Sequence, residues 1–341
     1  MKRFAIGWIV LLAGAIAHAA TNLPPATSLL LDEKTSFGLT AGLRQYENPP
    51  RFTGKLTCVG GGSTAILVNR WAAEFATLYP DVVLDARGGG AASGLAGLLN
   101  GTVDLVPMIR ELQPDEVAQF KSKFGYKPAQ IIVAQDAEGV YVNKNNPVPG
   151  LTLAQLDAIY SRNAKRGGGR PEFWHELGVT GPLGDQLISR VSLNRAHSNY
   201  AFFQQRVLQG EEYRFDVRFE AVPGSLVQAV GADDAAVGFA SVMFATERTR
   251  FVPLQAADGS YVLPSYENIL NGKYPLVRPM RIVFNRRPDG NMNPAAREFM
   301  RFAVSRHGQR LIAVAGSYPL TVEQQEEALR TIGEAPPNTI R

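Results

Sequence analysis

LTCVGGGST (Leu56–Thr64) and VVLDARGGGAASG (Val82–Gly94) are one unit used twice: a strand-like run, three glycines, then a serine at the opening of a helical pattern. After the first triplet, Leu67, Trp71, Phe75 and Leu78 recur at helical spacing, with Ser63 as the N-cap and Pro80 as the stop. After the second, Ser93 reads as the opening residue, Leu95, Leu98 and Leu99 share a face, and Gly101 closes the helix. Strand, glycine turn, helix and strand again argue an α/β fold with a largely parallel sheet.

The alternation continues outward. Val103–Met108 is a third strand running up to Arg110, a helix follows from about Pro114, and strands are expected at Ile131–Ala134 and Val140–Asn143. Thr152 caps a helix carrying Leu153, Leu156, Ile159 and Tyr160. The basic, Gly-rich segment Arg162–Arg170 reads as an exposed loop. Val191–Asn194 and Val237–Ala240 are strands, with Phe202, Phe203 and Val207 on a helix after the first of them. Arg281–Asn285 is a late strand, followed by helices at Pro294–Ser305 and 306–314. There is no internal repeat.

Upstream, the basic start Met1-Lys2-Arg3 leads into FAIGWIVLLAGAIA (Phe4–Ala17), and Ala17-His18-Ala19 has the small-x-small pattern of a cleavage site. Residues 1–19 therefore read as a secretory signal peptide. The run is short for a membrane span of ~20 residues, and no cysteine follows it to carry a lipid. Residues 20–53, rich in Pro, Thr and Asn, read as an extended leader. The expected destination of the mature chain is the periplasm.

Composition narrows the function classes. The chain has 341 residues, 45% hydrophobic and 19% charged, which suits a globular protein of two domains. Cys58 is the sole cysteine, so neither a disulfide framework nor a cysteine metal cluster is available. Its apolar neighbours place it in a buried strand. Without Lys2 and Arg3, 33 basic residues face 31 acidic ones, too even a balance to indicate a nucleic-acid partner.

The glycine triplets let the backbone turn sharply and approach a ligand, and the helix starts behind them offer unpaired N–H groups to an oxyanion. Such turns are also ordinary strand–helix connectors. Arg110 and Arg195 each follow a strand, where a guanidinium can reach a ligand crevice and grip an anion through two parallel hydrogen bonds. Either is equally compatible with a surface role. No GxSxG, GxxxxGK[ST] or HExxH motif occurs, and His175, His197 and His307 are scattered, so neither an enzyme motif nor a metal site is indicated. Trp174 and the Phe202-Phe203 pair suit a core better than ligand stacking.

Taken together, these blocks resemble the periplasmic phosphate-binding proteins of ABC importers, the PstS-like group. The resemblance runs over about residues 54–321. It rests on GGGSTAILVNRWAAEF (Gly60–Phe75), GGGAASGLAGLLNGTVDLVPMIREL (Gly88–Leu112), DAEGVYVNKNNPVPGLTLAQLDAIY (Asp136–Tyr160), FFQQRVLQGEEYRFDV (Phe202–Val217), PGSLVQAVGADDAAVGFAS (Pro223–Ser241), PSYENILNGKYPLVRPMRIVFN (Pro264–Asn285) and GQRLIAVAGSYPL (Gly308–Leu320). It implies a type II periplasmic-binding-protein fold: two α/β lobes joined by two crossings, with the anion in the cleft. Lobe 1 is then 54–135 plus 274–330, and lobe 2 is 136–273.

Carried over, Gly62, Ser63 and Thr64 stand where the family donates to phosphate. In the second loop Ala91-Ala92 replace the serine expected directly after the glycines, and Ser93 follows. Ile109-Arg110 keeps the arginine that follows the third strand and lacks the serine before it. In the third loop Arg195 is retained, and Ser198 is out of register by one, with Asn199-Tyr200-Ala201 in place of Ser-Gly-Thr. Asp136 and Glu111 are the candidate carboxylate acceptors for a protonated anion. The resemblance implies a monomeric carrier with no cofactor and no catalytic activity, which delivers phosphate or a similar oxyanion to a membrane ABC permease. The loop departures leave a second reading: a divergent member that binds another ligand or a protein partner. A secreted hydrolase of phosphorylated compounds is a weaker third.

Overall fold

The computed structural model describes residues 38–47, 51, 53–61 and 63–334, without the side chain of Ser63. The expected signal peptide, most of the leader, Gly62 and the Ser63 hydroxyl lie outside the described residues. Among those described, no helix is long and apolar enough to cross a membrane. The chain divides into two compact units, Leu31–Asp136 with Arg278–Arg341, and Ala137–Val277.

The first unit opens with β1 (Gly54–Gly60), α1 (Ser63–Leu78), β2 (Val82–Gly88), α2 (Gly90–Asn100), β3 (Leu105–Met108) and α3 (Pro114–Phe124), and then enters β4 (Ala129–Asn143). β1 pairs in parallel with β2 from Gly54–Val82 to Gly60–Gly88, and with β3 at Cys58–Leu105. Parallel neighbours need a crossover, which α1 and α2 supply. The four-residue spacing of Leu67, Trp71 and Phe75 puts all three on one buried face of α1, and the Trp71 indole donates to the Gly308 carbonyl at 2.9 Å. They join Leu56, Cys58, Leu105 and Phe299 in one core, where each large apolar side chain contributes ~1.5–3 kcal/mol on burial. α3 has proline at its first position, a Gln113–Glu116 capping box, and Gly125 at φ 84° to close it.

Cys58 is buried and unpaired in β1, and loss of hydration pushes its thiol up to about 12. Folded protein at pH 8 is therefore expected to resist a thiol-specific reagent and to react fully once denatured. Rapid labelling of the native protein would show that β1 opens under native conditions.

The second unit contains α4 (Leu153–Tyr160), β5 (Ser189–Leu193), α5 (Ser198–Arg206), β6 (Arg218–Glu220), α6 (Pro223–Ala232), β7 (Ala236–Ser241), β8 (Thr249–Phe251), β9 (Leu254–Gln255), β10 (Tyr261–Val262) and α7 (Tyr266–Leu270). Here β7 and β8 both pair antiparallel with β4, while β5 runs parallel to β7 and β6 parallel to β5. The sheet is thus mixed rather than largely parallel, because β4 runs antiparallel to both of these neighbours. Phe203 stacks on Phe239 with centroids 3.6 Å apart, and Trp174 is fully buried with its indole on the Ala235 carbonyl at 2.9 Å. Both are core residues, as their sequence neighbourhoods suggest. The basic 162–170 segment is a loop with no buried residue, as expected, and Arg166 ties it down by donating to the carbonyls of Val207 and Arg206 at 2.6 and 2.8 Å.

The chain returns to the first unit along β11 (Val277–Phe284), which pairs antiparallel with β3 from Arg281–Met108 to Phe284–Leu105. α8 (Pro294–Val304), α9 (Arg306–Ala313) and α10 (Val322–Ile332) finish the unit. Ser305 separates α8 from α9 and caps the start of the latter by accepting from Gly308 N.

Candidate functional site

In the first unit the loops after β1, β2 and β3 open at one edge of the sheet, because the three strands are parallel and adjacent. The two glycine turns touch. A Cβ on Gly61 would lie 2.8 Å from Gly90 Cα and 3.1 Å from Gly90 N, and one on Gly60 would lie 2.5 Å from the Pro107 carbonyl oxygen. Only glycine lets these backbones meet. Behind them α1 and α2 begin almost at once, so two sets of unpaired first-turn N–H groups emerge at the same edge.

Thr64 is buried, and its hydroxyl donates to the Gly61 carbonyl at 2.5 Å, bracing the first turn. Ser93 does not open α2. The helix starts at Gly90, with Gly89 before it and no side-chain cap, so Ser93 is the fourth helical residue and is exposed. Gly90 at φ 78° makes the early start possible, a backbone shape that sequence spacing alone does not reveal.

Arg110 stands just past β3 with its side chain 39% exposed. Its Nη1 and Nη2 donate to Glu116 Oε2 and Oε1 at 2.8 and 2.5 Å, and Nη1 also donates to the Glu111 carbonyl at 2.9 Å. The hydrogen bonds from Arg110 hold the Glu116 carboxyl below its ordinary range. Asp136 is a different case. It is fully buried and accepts from Arg278 Nη2 at 2.6 Å, with neither side chain more than 1% exposed. Its Oδ2 belongs to a core ion pair, a contact that the sequence reading of Asp136 as a ligand acceptor does not include. Glu111, the other candidate, is exposed and accepts from Arg281 Nη2 at 3.1 Å.

In the second unit, Arg195 follows β5, is 73% exposed, and donates to Glu212 at 2.6 Å. α5 begins at Ser198 behind His197, whose ring nitrogen accepts from Asn199 N at 3.3 Å. The Ser198 hydroxyl is buried and makes no hydrogen bond among the described residues. Asn199 is buried and donates through Nδ2 to the carboxylate of the fully buried Glu138 at 2.6 and 2.8 Å. The Asn199 amide is thus bonded within its own unit, to Glu138. Among the described residues, no group of three or more His, Cys, Asp or Glu is placed to hold a metal.

The comparison with known proteins now has a geometry to meet. A family model described as a PBP superfamily domain matches residues 46–307. The phosphate-binding protein PstS of Pseudomonas aeruginosa is 30% identical over 293 residues, covering 85% of this chain and 91% of that protein. The chain belongs to the PBP superfamily, as a PstS-like member. Among solved structures, a Clostridium perfringens protein described as a phosphate ABC transporter substrate-binding protein, with bound phosphate, superposes at TM-score 0.63. It shares 25% identity and covers 78% of this chain and 100% of its own. An ABC-type phosphate transport receptor from Vibrio cholerae, 23% identical, shares the fold at TM-score 0.61 over 78% of this chain and 100% of that one.

Within this PstS-like chain, sequence reasoning missed Glu116, Glu138 and Arg278. Glu116 carried a signal: a Gln-x-x-Glu spacing ahead of a helix marks a capping box, and a capping carboxylate is within reach of a residue just before the cap. Glu138 and Arg278 carried none, since each is defined by a partner distant in the chain.

Proposed function

We propose that this protein is an exported binding protein that captures inorganic phosphate, or a closely similar oxyanion, and delivers it to an ABC importer. The observation that carries this reading is the match to P. aeruginosa PstS over nearly the whole of both chains. The geometry is consistent with it: two touching glycine turns, two helix starts and a held arginine gather at one sheet edge, a donor set suited to a tetrahedral anion. The sequence of residues 1–19 supports export to the periplasm.

Calorimetry on refolded, ligand-stripped protein tests the reading. One-to-one binding of phosphate at micromolar affinity or tighter is expected. No heat with phosphate or with sulfate, on protein shown to be folded, would overturn it. Arg110→Ala should weaken phosphate at least about tenfold, the loss of one charge-assisted bond of ~1.5–3 kcal/mol. An unchanged affinity would remove Arg110 from the site. Ser198→Ala should leave folding stability unchanged or slightly raised, since its buried hydroxyl has no partner to lose among the described residues. If Ser198 meets the anion, that variant also binds phosphate several-fold more weakly in the same titration.

A second reading has its own observation. Arg195 is bonded to Glu212, and Asn199 to Glu138, so two of the side-chain donors after β5 are spent internally. A protein that binds neither anion, yet is folded and retrieves one specific partner, would favour a repurposed recognition module.

A further inference from the structure

Arg110 has two edges with which it can grip an anion. One, formed by Nη1 and Nη2, is filled by the two oxygens of Glu116. The other, formed by Nε–H and the second hydrogen of Nη2, carries no hydrogen bond among the described residues, and the side chain is 39% exposed. Glu116 is itself fixed. It is the third residue of α3, 19% exposed, and its Oε2 also accepts from Gln113 N at 2.8 Å in the capping box. The turn between Arg110 and α3 is braced a second time, because Glu111 pairs with Arg281 on β11, the strand alongside β3.

We propose that Glu116 is the positioning residue for anion capture: it clamps one edge of the Arg110 guanidinium so that the complete Nε/Nη2 edge is presented to the ligand. This rests on the phosphate reading above for the identity of the ligand, not for the clamp itself. A free arginine side chain has many rotamers to lose, and a group held in place beforehand loses less on binding. The Glu116 carboxyl, held below its ordinary range by these hydrogen bonds, stays ionised at neutral pH. Sequence alone places an acid six residues beyond Arg110, and only the fold turns it back onto the guanidinium.

Glu116→Gln is the informative variant. Glutamine at this position can still accept from Gln113 N and complete the capping box, so α3 is retained. It loses the charge and one of the two acceptors facing Arg110. Phosphate affinity, measured by calorimetry, should fall about tenfold. In a double-mutant cycle, Arg110→Ala with Glu116→Gln should bind within about twofold of Arg110→Ala alone, because a clamp has no role without the group it holds. Additive losses would reduce Glu116 to a helix cap and overturn the proposal. Tighter binding by Glu116→Gln would make Glu116 a competitor and overturn it equally.

A second measurement needs no ligand. The Arg110 Nε–H signal, assigned in the nitrogen-15 spectrum by its disappearance in Arg110→Lys, should be well ordered in the unliganded protein and lose order in Glu116→Gln. Unchanged order would overturn the clamp whether or not phosphate binds. Loss of order in a protein that binds no phosphate would leave the clamp standing and end the phosphate reading instead.

Discussion

Arg278→Met should lower the folding stability of this protein by about 3–5 kcal/mol, the usual consequence of removing one member of a buried ion pair. The pair is Arg278–Asp136, at 2.6 Å, with side-chain exposures of 0% and 1%. Methionine keeps much of the side-chain volume but takes the Arg278 guanidinium away from the buried Asp136 carboxylate. Desolvation of that charge, rather than the lost attraction, sets the size of the effect. The pair's place raises the stakes. Asp136 is the last residue before the chain leaves its unit, and Arg278 is the first after it returns, so one contact ties both passages to the same unit. Urea unfolding followed by tryptophan fluorescence measures the loss. The double variant Asp136→Leu with Arg278→Met should recover much of it, since a well-packed apolar pair replaces two desolvated charges. If Arg278→Met stays within 1 kcal/mol of wild type, Asp136 does not depend on Arg278 for its charge.

The same pair explains where the sequence stops being legible. Ile131–Ala134 and Val140–Asn143 look like two strands because Gln135, Asp136 and Glu138 interrupt the apolar run between them. In the fold all three are buried within one continuous β4, from Ala129 to Asn143. Acids sit inside a core strand here because each has a partner, Arg278 for Asp136 and Asn199 for Glu138. Those partners stand 142 and 61 residues away, and no local pattern announces them. α10 escaped notice for another reason: VEQQEEALRTI shows few apolar residues, yet Ala328, Leu329 and Ile332 suffice to bury one face, and Thr321 caps it. The two strand–glycine–helix units were readable because their period, their breaks and their glycines are all local. Around the candidate site, the position of Arg110 just past a strand end was readable. That Arg110 is held by Glu116, that α2 starts before Ser93, and that Asp136 belongs to an ion pair are consequences of tertiary geometry.

Gly61→Val should weaken phosphate binding at least about a hundredfold while shifting the melting temperature by only a few degrees. Its Cβ would come within 2.8 Å of Gly90 Cα and 3.1 Å of Gly90 N. Both contacts are backbone, so neither can swing aside, and the two turns must separate. Their separation moves the start of α1 away from the start of α2, and a ligand that bonds to both loses at least one set of donors. Two charge-assisted bonds at ~1.5–3 kcal/mol each correspond to about two to four orders of magnitude. Gly94→Ala separates this effect from general damage. There the added Cβ would clash with the Val59 carbonyl oxygen and meet Val106 Cγ1 at 2.6 Å, under the helix rather than between the turns. It should cost stability, by roughly 1–3 kcal/mol of overpacking, more than affinity in the protein that remains folded. The opposing pattern across the two variants is the test, read by thermal melts and calorimetry on the same preparations. Phosphate affinity within threefold of wild type in a folded Gly61→Val protein would show that the contact between the glycine turns serves packing alone, and the anion would have to be sought at other donors.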